Sequence, residues 1–156
     1  MLGSLRRRLP VWPLVLGCLL PDVIDKPLFY GLIFFHGFAP SPFLGSRTVG
    51  HTLLFVVVLS LSSAIFRRDW LWAVTAGVAT HLLLDVAGEP FAGHRPESSV
   101  WRAVFWPLLG WNFPLATYAT PLEHLWVGLS QVYVLCGEAI GGAILLRAWW
   151  RRRQPS

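Results

Sequence analysis

Four apolar stretches, uncharged or nearly so, divide the chain. Residues 48–66 (TVGHTLLFVVVLSLSSAIF) carry no charge; coiled as helix they reach close to the roughly 30 Å of a bilayer core. Residues 70–84 (WLWAVTAGVATHLLL) form a shorter run that extends to position 88 if Asp85 faces the protein interior. Residues 125–146 are interrupted only by Glu138, and residues 9–21 (LPVWPLVLGCLLP) must borrow from their flanks to cross. Between the first two spans, Gly37, Pro40, Pro42 and Gly45 break an uncharged stretch, so 28–38 reads as a short re-entrant or interfacial helix. Residues 104–111, in a segment holding Trp101, Trp106 and Trp111, read as a short amphipathic helix lying in the interface. The pattern predicts an all-α, polytopic membrane helix bundle: about four transmembrane helices plus short re-entrant or interfacial helices, in a single integral membrane domain over 1–156.

Composition supports this. The chain is 54% hydrophobic and 13% charged, with mean hydropathy +0.54, about half the charge of a typical soluble domain. That excludes a disordered chain and an ordinary soluble one. The nine Trp suit a headgroup interface. A net charge of +5 and a pI near 10.0 would otherwise suggest a nucleic-acid partner, but the bases cluster at the ends of apolar runs: Arg6 to Arg8, Arg67 with Arg68, and Arg147 with Arg151 to Arg153. These are topology signals, so membrane lipids are the expected partners and nucleic acid is not. By the positive-inside rule all three clusters face the cytoplasm in a four-span chain. The N- and C-termini are then cytoplasmic and the protein is multi-pass in the cell (inner) membrane. Cys18 and Cys136 lie in apolar segments, where a disulfide framework is not expected.

The same topology gathers Asp22, Asp25, Asp85, Glu89, Glu97 and Glu123 with all five His at the outer end. His81 and Asp85, four apart, share one helix face. Asp22 and Asp25 bring two carboxylates towards one point, which calls for a cation or a shared proton. His51 opens the longest span. Taken singly, each has a bland explanation: a self-satisfied polar pair, a solvated helix end with Lys26 as counter-ion, an interfacial imidazole. Together Asp22, Asp25, His51, His81 and Asp85 offer two imidazoles and three carboxylates, a set suited to a divalent metal, zinc first, with manganese or magnesium as alternatives. Asp25 and Asp85 are the candidate catalytic carboxylates. Arg47 is the candidate substrate-phosphate residue, and His36, Glu123 and His124 are secondary candidates.

Three motifs in order, LLPDVID at 19–25, SRTVGHTLL at 46–54 and THLLLD at 80–85, followed by Trp106-Pro107, resemble the bacterial and archaeal inner-membrane metal-dependent hydrolases. The resemblance implies a relation to zinc-dependent phospholipase C and single-strand nucleases, and hence a phosphoester or lipid-type substrate. The chain departs from the pattern at Ser46, where the family carries a His, at Thr48 and Gly50, and in an extra residue between the two Asp of the first motif. The expected function is a membrane-embedded divalent-metal-dependent hydrolase working at the outer membrane face. The alternative is a non-catalytic membrane protein (structural, partner-binding or ion- and proton-handling) that retains the His/Asp cluster.

Overall fold

A computed structural model describes residues 9–36, 45–91 and 100–114, together with scattered helical positions between 122 and 150. The regular structure among the described residues is helical, with no strand. Helix α1 runs Val11–His36, α2 Leu53–Phe66, α3 Asp69–Gly88 and α4 Val100–Val104; a 3-10 turn, Val49–His51, leads into α2. The chain divides into two compact units, the first holding α1 to α4 and the second Pro90–Ala92 together with Tyr118–Ser156. In the second unit the described positions, among them Glu123, Trp126 and Leu135, are helical and mostly exposed.

Helix α1 corrects the sequence reading. The expected short span at 9–21 and the separate helix at 28–38 are one continuous helix that passes through Pro21 and Pro27. Proline has a helix-compatible φ but lacks an N–H and crowds the carbonyl four residues back, so a long helix absorbs it only where packing compensates. Here Gly17, Pro21, Asp25 and Phe29 are the buried positions, one every four residues. That stripe faces the rest of the first unit.

Helix α3 matches its expected span, and it is the one described helix long and apolar enough to cross a membrane. The count of four spans is not reproduced among the described residues. Helix α2 has 14 residues, α1 carries Asp22, Asp25 and Lys26, and 125–146 lies largely outside the described residues. Helix α2 is shorter than the expected 48–66 because Thr48 to Thr52 turn instead of coiling. Thr52 caps α2, its hydroxyl accepting from the Phe55 N–H at 3.0 Å while donating to the Val49 carbonyl. The expected interfacial helix at 104–111 is also displaced: α4 ends at Val104, and turns follow to Leu109.

Two glycines set how α1 meets α3. A Cβ on Gly17 would lie 2.2 Å from the Val74 carbonyl oxygen, and one on Gly77 2.2 Å from that of Leu14. The backbones therefore touch, as in small-residue crossings of membrane helices. Val78 and Leu82 of α3 join Val100 and Val104 of α4 in the adjoining core.

Candidate metal centre

Starting from the close crossing, His81 lies one turn beyond Gly77, on the stretch of α3 that meets the Cys18 backbone of α1. Its Nε2 is left 3.2 Å from the Nε2 of His51. The two rings stand edge to face, centroids 5.1 Å apart at 71°.

His51 is buried and held from behind by Asp25, which is fully buried. The Asp25 Oδ2 accepts from His51 Nδ1 at 2.7 Å and from the Thr48 N–H at 2.6 Å; its Oδ1 accepts from the Thr48 hydroxyl at 2.8 Å and the Gly50 N–H at 3.0 Å. A carboxylate only accepts, so Nδ1 of His51 donates this bond, and in the neutral ring Nε2 is the atom left with a lone pair for a ligand. This is the carboxylate–histidine arrangement that orients metal ligands in many proteins. It works only because the turn comes close to α1: a Cβ at Gly50 would lie 2.8 Å from the Pro21 carbonyl oxygen.

Two further carboxylates surround the imidazoles. Asp22 Oδ1 is 3.6 Å and Asp85 Oδ2 3.7 Å from His51 Nε2, and Asp85 Oδ2 is 4.0 Å from His81 Nε2. Donors bound to a tetrahedral zinc at 2.0–2.1 Å stand about 3.3 Å apart. The observed spacings, 3.2 to 4.0 Å, bracket that value, and one donor atom each from Asp22, His51 and His81 lies within 4.8 Å of the others. The residues present fit a divalent ion. Side-chain exposure rises from 2% at His51 through 18% at His81 and 22% at Asp85 to 34% at Asp22. The centre has a closed floor at His51 and an open rim.

Each rim carboxylate is paired with a cation. Lys26 Nζ bonds Asp22 Oδ2 at 2.9 Å, one turn along α1, and Arg47 Nε bonds Asp85 Oδ2 at 2.8 Å. Arg47, expected from the sequence as a phosphate residue, thus contacts a carboxylate of the centre.

Of the five expected ligands, the structure brings all into one neighbourhood, with Asp25 behind His51 and its two oxygens engaged elsewhere. Glu123 is an exposed helical position of the second unit. His36 ends α1, but its side chain lies outside the described residues, as do His94, His124 and Glu138. Sequence reasoning missed Thr48 and Gly50. Both stand where the chain departs from the resembled motif, and both donate to Asp25.

The chain matches the YdjM inner membrane protein family over residues 2–153 and belongs to it. It is therefore an inner-membrane protein. No curated protein and no solved structure matches it.

Proposed function

We propose that this member of an inner-membrane family is a divalent-metal-dependent hydrolase of phosphoesters, with lipid-type substrates reaching the site from the membrane. The observation that carries the reading is the pair of imidazole Nε2 atoms 3.2 Å apart, with the His51 ring held through its Nδ1 by Asp25. Asp22, His51 and His81 supply two nitrogens and one oxygen, the three-ligand set of catalytic zinc sites that leave a position open. Zinc is the preferred ion, with manganese or magnesium as alternatives. When bound, such an ion lowers the pKa of water and polarises a phosphoryl oxygen.

The chain's own residues divide the remaining work. Asp85, beside both imidazoles, is the base that takes a proton from the attacking water. Arg47 fixes the Asp85 carboxylate in position through its Nε. Asp25 is a positioning residue that holds the His51 tautomer. Its four accepted hydrogen bonds favour that role over direct ligation. The chain is multi-pass with cytoplasmic termini, the site opening to the outer side; the arginine clusters support this orientation. Membrane lipids are its partners, and no nucleic-acid partner is proposed.

The test is zinc content by mass spectrometry alongside hydrolysis of bis(4-nitrophenyl) phosphate and a short-chain phospholipid by detergent-purified full chain. The expected result is about one zinc per chain, lost with turnover in His81→Ala. Asp85→Asn should keep the metal while the rate falls about 100-fold or more. A chain that binds no zinc, manganese or magnesium after reloading overturns the reading and leaves the His/Asp cluster a non-catalytic polar core.

A further inference from the structure

The charges around the two imidazoles follow a pattern that the hydrolase reading does not require. Asp22, Asp25 and Asp85 bring three carboxylates, and Lys26 and Arg47 two cations, each cation on a different rim carboxylate. With neutral imidazoles this group carries one net negative charge. A divalent ion reverses it to one net positive charge in a partly buried setting, where charge is screened least. The same residues therefore repel an anion before the metal binds and attract one afterwards.

We propose that Lys26 and Arg47 form an oxyanion subsite beside the His51–His81 centre, built for a phosphate group and active only when the metal is bound. The proposal rests on the metal-site reading above. Three observations carry it. The Lys26 side chain is 44% exposed, and one of its three ammonium donors accounts for the bond to Asp22. Arg47 bonds Asp85 through Nε, at one corner of the planar fork that suits phosphate oxygens. Both cations attach to carboxylates at the more exposed rim and not to Asp25 at the floor, so they stand on the solvent-accessible side of the centre. A carboxylate ligand has two oxygens to share among a metal and two cations. A phosphate has enough oxygens to meet all three at once, and this selects the phosphate class. Lys26, which looks from the sequence like a mere counter-ion for Asp22, becomes a binding residue.

The experiment titrates inorganic phosphate, and separately dihexanoyl phosphatidylglycerol, into zinc-loaded full chain in a zwitterion-free detergent, by calorimetry, with zinc content measured on every sample. Wild type should bind phosphate only after zinc loading. Lys26→Met should weaken binding about tenfold or more, the scale of one lost charge-assisted hydrogen bond, with zinc content unchanged, and Lys26→Arg should restore most of it. Weakening seen with inorganic phosphate identifies the bare phosphate group as the ligand. Weakening confined to the phosphatidylglycerol arm identifies a lipid headgroup phosphate. Full phosphate affinity in both Lys26→Met and Arg47→Gln, with zinc bound, overturns the subsite while leaving the metal reading intact. Loss of zinc from Lys26→Met also overturns it, since Lys26 then serves only to hold Asp22. A wild-type chain that takes up no metal fails at the earlier step and is recognised by the zinc measurement alone.

Discussion

Asp25 shows what a buried carboxylate does when every lone pair is directed. It takes four hydrogen bonds within 3.0 Å, three of them from a single turn of chain at Thr48 and Gly50. An Asn there would present an NH₂ to at least one of those donors. Asp25→Asn should therefore lower zinc affinity by about 10- to 100-fold, the usual cost of losing the partner behind a ligating His. It should also destabilise the fold by about 1–3 kcal/mol. Asp22→Asn should separate the two effects. Asp22 sits at the rim in a partly exposed pair with Lys26, worth at most about 1 kcal/mol, so metal affinity falls while the melting temperature barely moves. Competition with a chromophoric chelator and thermal unfolding in detergent check both. The identity of these residues was legible in the sequence: the spacing of His81 and Asp85, and the polar positions 22, 25 and 51. The division between a rim carboxylate and a supporting one was not. It depends on the turn at 48–51 folding onto α1, and no local pattern encodes a contact across 23 or more positions.

Helices α1 and α3 come near enough to build this centre because neither has a side chain at the crossing. A Cβ at Gly17 or Gly77 would approach a backbone oxygen to 2.2 Å, and a backbone cannot yield as a flexible side chain can. Gly17→Ala and Gly77→Ala should each cost about 1–3 kcal/mol or more by overpacking. Zinc affinity should fall with stability, since His81 stands one turn beyond the Gly77 contact with the Cys18 backbone. Gly31→Ala is the control. Nothing lies within 4 Å of its Cβ position, and replacing a mid-helix Gly by Ala stabilises by about 0.5–1 kcal/mol. Equal melting temperatures for all three variants would refute the close-crossing account. Helix α3 was legible because its apolar run is bounded by Arg67-Arg68 and Glu89-Pro90. Helix α1 was misread because Asp22, Asp25 and Lys26 split its apolar run into two uncharged pieces, whereas the buried stripe at 17, 21, 25 and 29 runs through them.

Orientation in the membrane decides which compartment the centre serves, and Arg67 and Arg68 give a local handle on it. Arg67 ends α2 in a left-handed conformation, φ 51°, with its N–H bonded to the Ser63 carbonyl, and α3 starts two residues later. So short a turn keeps its two arginines at one surface. Helix α3 then runs about 30 Å, at 1.5 Å per residue, to Gly88 at the other, carrying His81 and Asp85 in its second half. In the proposed orientation the arginine end lies in the cytoplasm and the His/Asp centre towards the outer side. In a chain whose two cysteines are replaced, Arg68→Cys should react with an impermeant maleimide only after the cells are opened, and Ser46→Cys in intact cells. Labelling in the reverse order would turn the centre towards the cytoplasm. The metal chemistry would survive that result, but a substrate in the outer leaflet would not, because Asp22 and His51 gather beside His81 in the Gly88 half of α3.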